Sequence, residues 1–197
     1  MLALLERFAI GQVTMTPSFA DKDTPGVQKT MEEIRRRGVP RRIVRAGDRL
    51  GAGDTQFEVL HPPAVGPDGN ENARSLVLLI RHAGHTLLLT GDLEGSGLVR
   101  VLALDPVRAD VFMAPHHGSR FPNTPELARW AQPRVVISCE GPPRGPARPA
   151  EPYSPMGATF LGTWPHGAIT VRSGQEGLTV ETFVTRERII VGRAAHE

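Results

Sequence analysis

The chain has 197 residues, 40% hydrophobic and 22% charged, a balance that suits one globular domain and excludes a disordered chain. A formal net charge of +2 is too small for whole-molecule steering of nucleic acid, and a single cysteine, Cys139, excludes an internal disulfide and any multi-cysteine zinc site. No apolar run approaches the ~20 residues that cross a bilayer, and Met1–Ile10 carries Glu6 and Arg7 without a basic leader, so the chain reads as soluble as given, without a signal peptide. With 21 glycines and 18 prolines, many short elements joined by tight turns are favoured over a helical bundle.

In chain order, Leu2–Phe8 has helical spacing with no cap ahead of it, as though the chain begins inside a helix. Gln12–Thr16 alternates like a short strand. Thr24-Pro25, then Val27, Met31 and Ile34, then Gly38, spell a capped helix with a glycine stop. Arg41–Val44 and Gln56–Leu60 read as strands on either side of the turn-rich Ala46–Asp54, and His61–Asn72 as a loop. Leu76–Ile80 and Thr86–Leu89, joined around Ala83-Gly84, form a hairpin. Leu93–Leu104 is a helix with Leu98 and Leu102 on one side, and Ala109–Ala114 a buried strand. Pro125–Ala131 is a short helix capped by Thr124, followed by a strand over Val135–Cys139. Gly141–Pro155 is too rich in proline for any regular element. Ala168–Val171 and Leu178–Phe183 pair antiparallel across Ser173–Gly177. The domain is placed at residues 1–185, with 186–197 as a disordered tail. Strands interleaved with helices indicate an α/β or mixed layered domain.

Two stretches carry the chemistry. Leu87-Leu88-Leu89-Thr90-Gly91-Asp92 is an apolar strand that ends in a glycine turn and a carboxylate. Val111-Phe112-Met113-Ala114-Pro115-His116-His117-Gly118-Ser119 is a second apolar strand ending in paired histidines, whose side chains point in different directions. Aspartate with imidazole suits Zn²⁺ or Mn²⁺. Either motif alone also fits a plain turn; what points to a site is that each closes an apolar strand.

The order Asn72-x-x-Ser75-Leu76-Val77-Leu78, Leu88-Leu89-Thr90-Gly91-Asp92, Ala109-Asp110-Val111, Pro115-His116-His117-Gly118-Ser119 closely resembles the C-terminal half of ComEC-type (DNA-uptake, competence) metallo-β-lactamase domains. Ala46-Gly47-Asp48-Arg49-Leu50, Phe57-Glu58-Val59-Leu60-His61-Pro62 and Trp164-Pro165-His166-Gly167-Ala168-Ile169-Thr170 are similar to that family as well. The resemblance covers roughly Leu4 to Phe183. It implies an α/β (α+β) fold, a metallo-β-lactamase-like αββα sandwich that is N-terminally incomplete, with metal at one end of its sheets. It also implies Asp92, His116 and His117 as metal-binding and catalytic residues, Zn or Mn as the cofactor of an intact relative, and Asn72, Ser75, Ser119 and Arg120 on the substrate side. The reaction implied is metal-dependent hydrolysis of a DNA phosphodiester, as in a nuclease.

One departure limits this expectation. Members of the family carry a His-x-Asp/His-x-Asp-His motif ahead of the helix that here begins at Leu2. Nothing in this chain matches it: Asp21-Lys22-Asp23 contains no histidine, and neither does Gly141–Pro155. The expectation is therefore a fragment whose parent includes a membrane channel, with too few ligands for a tight dinuclear centre, weak or absent metal and no hydrolysis by the chain alone. Missing neighbours would leave strand edges open and the isolated chain prone to self-association.

The alternative is a non-catalytic DNA- or protein-binding remnant, favoured by Arg35, Arg36, Arg37, Arg41, Arg42, Arg45 and Arg49. The plainer reading of that cluster is a helix C-terminus and a solvated strand face, since no aromatic residues interleave. Phe121 and Trp130 read as core or lid packing, and His85 and His166 as surface residues. His61 and His82 fit no ligand pattern, and Cys139 reads as a small buried hydrophobe.

Overall fold

A computed structural model describes residues 1–142 and 149–192. The chain opens with helix α1 (Leu2–Arg7), strand β1 (Val13–Met15), a short helix α2 (Pro17–Ala20), helix α3 (Pro25–Arg36) and strand β2 (Arg41–Ile43). β1 and β2 pair in parallel, and Leu5, Val13, Met15 and Ile34 close a small core of their own. Strands β3 (Arg49–Ala52), β4 (Thr55–His61), β5 (Val77–His82) and β6 (His85–Leu89) follow as an antiparallel meander. The turn between β5 and β6 places Ala83 at φ 50° and Gly84 at φ 79°, the two positive values a tight hairpin turn requires. Helix α4 (Gly95–Leu102), strand β7 (Val111–Met113), helix α5 (Pro125–Ala131), strand β8 (Val135–Ser138), strand β9 (Thr159–Gly162) and helix α6 (Thr163–His166) come next. Strands β10 (Ile169–Gly174), β11 (Gly177–Thr182) and β12 (Arg188–Val191) complete the described chain.

β3 to β9 form one seven-stranded sheet in sequence order, antiparallel through β6 and parallel from β6 to β9. β10, β11 and β12 form a separate three-stranded antiparallel sheet. Alternation along the parallel strands builds two cores back to back. Leu88, Phe112 and Val136 face one way and pack with Leu98, Val101, Leu127 and Trp130 of α4 and α5. Their neighbours Val111, Val135, Ile137 and Leu161 face the other way, against Leu178, Val180 and Val191 of the smaller sheet. Strands covered on both faces read as continuous apolar runs, which is why Val135–Ser138 is buried at every position. The architecture is mixed α/β with a central mixed sheet, a helical layer on one face and a second sheet on the other.

Several elements differ from the sequence reading. The turn-rich Ala46–Asp54 contains β3, an edge strand whose exposed Gly-Ala sequence has low strand propensity and is held by pairing with β4. β9 and α6 went unread because each has only four residues, and Thr-Phe-Leu-Gly has no alternation. The tail expected to be disordered from residue 186 instead forms β12, because Ile189 and Val191 add apolar surface to the inter-sheet core. Residues 193–197 lie outside the described residues. So does 143–148 of the proline-rich Gly141–Pro155 segment, of which Ser154 and Pro155 begin a single 3₁₀ turn, Ser154–Met156.

His85 is buried, not on the surface. Its Nδ1 lies 3.4 Å from Asp110 Oδ2, and neither ring nitrogen makes a hydrogen bond. Asp110 is itself engaged, accepting from the Thr86 N–H at 3.0 Å and from Arg134 Nη1 at 3.2 Å. This ties β6, β7 and β8 together at their amino ends.

His61, at the end of β4, is also buried. Its Nδ1–H donates to the Ser75 carbonyl at 2.8 Å while Nε2 has no partner. Burial lowers its pKa; the Ser75 bond opposes the shift and the Arg100 charge adds to it. The neutral ring is the folded form, so the unfolded chain takes up the proton first as pH falls. Stability from this group is complete above the ordinary histidine value of about 6.5 and declines as pH drops below it. We expect the urea midpoint to fall between pH 7.5 and pH 5.5, with a shallower fall in His61→Gln. Equal slopes in the two proteins would show that His61 stays solvated.

Candidate functional site at the carboxyl ends of the parallel strands

Leu89, Met113 and Ile137 are register partners at the carboxyl ends of β6, β7 and β8, and Leu161 of β9 continues the row. The chain leaves these strands through Thr90-Gly91-Asp92, Ala114-Pro115-His116-His117 and Ser138-Cys139-Glu140. The carboxylate and both histidines read from the sequence therefore meet on one sheet edge. Thr90 fixes the first exit by donating its hydroxyl to the Met113 carbonyl at 2.7 Å. The second is fixed by the His116 N–H on the Gly91 carbonyl at 3.0 Å.

His116 and His117 both occupy the left-handed region, at φ 49° and 55°, and Gly118 follows at 74°. Successive left-handed residues with side chains are strained, and the surroundings must hold them. Asn123 does this. Its Nδ2 donates to the Pro115 carbonyl at 3.0 Å and to the Ser119 carbonyl at 2.6 Å. Its Oδ1 accepts from the hydroxyl of Tyr153, whose burial pushes the phenol pKa up and keeps it a donor. Gly118 is tight as well as left-handed, since a Cβ there would overlap Ser138 Oγ.

The reversed backbone sends the two imidazoles apart, with their rings 68° from parallel. His117 turns to Asp92. Its Nδ1–H donates to the Cys139 carbonyl at 3.0 Å, which leaves Nε2 of the neutral ring as a bare lone pair 3.5 Å from Asp92 Oδ1. In that neutral form the two facing atoms are both acceptors and do not bond to each other. Two donors bound at about 2.0–2.1 Å to one tetrahedral ion would stand about 3.3 Å apart, so the spacing fits adjacent positions on a single cation. The backbone carbonyl behind Nδ1 is the usual support of a metal-ligating histidine. Both side chains remain accessible, Asp92 at 46% and His117 at 64% exposure.

His116 turns the other way, to Glu94. Nδ1 lies 2.8 Å from Glu94 Oε2, and Glu94 Oε1 accepts from Asn70 Nδ2 at 2.9 Å and Asn72 Nδ2 at 3.0 Å. The two amides, and then His116, hold the Glu94 carboxyl below the usual carboxylate range. Glu94, Asn70, Asn123 and Tyr153 were not singled out in the sequence; Glu94 is two residues from Asp92, a proximity that could have flagged it.

The remaining candidates divide. Asn72 reaches the site through Glu94. Ser75 lies beside Gly91, where a Cβ would come 3.7 Å from its Oγ. Ser119 closes the histidine turn through its N–H on the His116 carbonyl at 2.9 Å, a backbone role. Arg120 lies over the Phe121 ring, 5.0 Å from its centroid. Phe121 is exposed, not core packing, because the turn after Arg120 points it outward while Pro122 and Asn123 go inside. Trp130 is buried, as read, with its indole N–H on the Leu104 carbonyl at 3.0 Å. Cys139 is exposed at the strand exit, not buried. His166 is half-buried, with Nδ1 at the Gly162 carbonyl at 2.8 Å and Nε2 3.5 Å from Glu187.

Among the described residues no group of three or more His, Cys, Asp or Glu side chains is placed to hold a metal. Asp92 and His117 fit two positions of a metal site, one fewer than the three protein ligands of a catalytic zinc centre. Among the described residues, no helix is long and apolar enough to cross a membrane.

No protein-family model matches the chain. Among solved structures, one described as a metal-dependent hydrolase from Parabacteroides distasonis overlaps 80% of this chain and 78% of its own, at 12% identity and a TM-score of 0.47. A zinc-dependent hydrolase of the metallo-β-lactamase superfamily from Thermotoga maritima overlaps 77% and 80%, at 10% identity and a TM-score of 0.40. ComE operon protein 3 of Bacillus subtilis is 34% identical over 139 residues, 70% of this chain and 18% of that protein's length. The chain is thus a homologue of a stretch of ComE operon protein 3 and spans about a fifth of that protein's length.

Proposed function

We propose that the carboxyl edge of β6–β8 is a partial metal site of a nuclease-like phosphodiesterase, to which this chain contributes Asp92 and His117. The observation that carries the reading is the bare Nε2 of His117, oriented by the Cys139 carbonyl, 3.5 Å from Asp92 Oδ1. Zn²⁺ or Mn²⁺ suits this oxygen and nitrogen pair. His116, clamped by Glu94, faces the substrate and does not ligate. With two donors the chain alone binds metal weakly and does not turn over a phosphodiester; further ligands must come from elsewhere. DNA as the substrate comes from the resemblance of the motifs to DNA-uptake domains, and the chain spans 18% of ComE operon protein 3.

Zinc uptake measured by equilibrium dialysis tests this assignment. Asp92→Ala and His117→Ala should each lower the zinc affinity about tenfold or more, and His116→Ala should change it little. Unchanged affinity in the first two variants would remove the proposal.

A second reading, a DNA- or protein-binding module without catalysis, draws on the arginines. Glu33 pairs with Arg36 and Arg37, which bring its pKa down to about 2, and Arg49 lies 3.4 Å from Glu58. Arg41, Arg42 and Arg45 are exposed, and their guanidiniums have no carboxylate partner among the described residues. Charged residues on an open strand also guard it against pairing, so this surface supports the second reading less than the paired side chains support the first.

A further inference from the structure

Asp92 and His117 are presented outward. Both side chains are exposed at the carboxyl edge of β6–β8, and among the described residues no third His, Cys, Asp or Glu side chain completes a metal-holding group. The histidine is nevertheless held in place. Its Nδ1–H donates to the Cys139 carbonyl at 3.0 Å, and its turn is pinned by Asn123 Nδ2 on the Pro115 and Ser119 carbonyls. A donor pair so supported, with the rest of the coordination sphere open to solvent, has the form of half a site.

Simple geometry points to the other half. Two donors 3.5 Å apart span one edge of a tetrahedron around Zn²⁺. A tetrahedron has two-fold axes that carry one edge onto the opposite edge, and two-fold pairing is the commonest symmetry of protein oligomers. One aspartate and one histidine from each of two identical chains therefore fill all four positions of a closed zinc site. The two carboxylates also cancel the charge of the ion, so its burial between the chains leaves no net charge there.

The surface around the pair suits such a partner. Phe121, beyond β7, is 73% exposed, and Trp164, in α6 immediately after β9, is 56% exposed. The in-register parallel strands set the ends of β7 and β9 about 10 Å apart, with β8 between them. Neither ring belongs to an apolar cluster of the described residues, and aromatic residues are enriched at protein interfaces.

We propose that this edge is a zinc-dependent interface between two copies of the chain, one ion being held by Asp92 and His117 of each copy with Phe121 and Trp164 packed around it. The inference rests on the metal assignment of Asp92 and His117 and adds the partner that supplies the remaining ligands. With all four positions taken, the paired form keeps none open for water or substrate and holds metal without hydrolysis.

Sedimentation of the whole chain, with zinc and with EDTA, tests this. The chain should sediment as a monomer in EDTA, and one zinc per two chains should convert it to a dimer. Dilution should dissociate the dimer and release zinc together, so the apparent zinc affinity rises with protein concentration. Asp92→Ala and His117→Ala should each abolish the zinc-dependent dimer, and His116→Ala should keep it. Phe121→Glu should raise the dimer dissociation constant about tenfold or more. A dimer that persists in EDTA, or an undiminished zinc-dependent dimer in Asp92→Ala or Phe121→Glu, would overturn the proposal. So would a monomer that takes up one zinc per chain through Asp92 and His117, a result that leaves the metal assignment itself standing. Zinc affinity unchanged in the two alanine variants would remove both.

Discussion

Asn123→Ala should destabilise the protein by about 4 kcal/mol and dismantle the histidine turn. Asn123 is buried and makes three hydrogen bonds, to the Pro115 and Ser119 carbonyls and from the Tyr153 hydroxyl. Truncation leaves the Tyr153 hydroxyl without its acceptor in a site where burial already keeps the phenol protonated. It also leaves buried Pro115 without the amide on its carbonyl. Each stranded group costs about 1–3 kcal/mol, and the left-handed geometry of His116 and His117 loses its brace. Tyr153→Phe removes donor and hydroxyl together and should cost less, about 1–2 kcal/mol. Chemical denaturation of the two variants and their double mutant checks this. The double mutant should be less destabilised than the sum of the two, because the side chains share one bond. Additive losses would show that Asn123 and Tyr153 act independently.

Gly97→Ala should be the second large effect, with a sign opposite to helix propensity. Alanine inside a helix ordinarily gains about 1 kcal/mol over glycine. At Gly97 in α4, however, a Cβ would overlap the Ala73 carbonyl and crowd Leu93. The Ala73 backbone cannot easily withdraw, since its N–H is bonded to Asn70 Oδ1 at 3.0 Å and the residue is buried. Overpacking of this kind should win by about 3 kcal/mol. The displaced segment also carries Asn70 and Asn72, which hold Glu94. Loss of the melting transition's height should therefore accompany a looser His116, visible as broadening of its imidazole NMR signals. A Gly97→Ala protein more stable than wild type would mean that α4 stands off from residues 72–74.

The sequence made the strands and the site legible to different degrees. The hairpin at Ala83-Gly84 and the helix Pro125–Ala131 were readable because local signals set them: a turn that needs positive φ, and a threonine cap that accepts the Leu127 N–H at 3.3 Å. β3, β9 and β12 were not: β3 has little strand propensity of its own, β9 and β12 are only four residues long, and each is completed by its neighbour's hydrogen bonds. Asp92, His116 and His117 could be singled out as candidates because each closes an apolar run. Which histidine turns to the aspartate could not, because that depends on two left-handed residues whose conformation Asn123 and Tyr153 impose from outside the motif. Glu94 was hidden for a related reason: its partners Asn70 and Asn72 lie in a loop that only the packing of α4 brings alongside.

Anomalous diffraction from crystals of the chain soaked in zinc tests whether Asp92 and His117 share one cation. A peak within about 2.0–2.2 Å of both Asp92 Oδ1 and His117 Nε2 is the predicted result. Zinc bound at saturation elsewhere, with the pair still 3.5 Å apart and bare, would contradict the account.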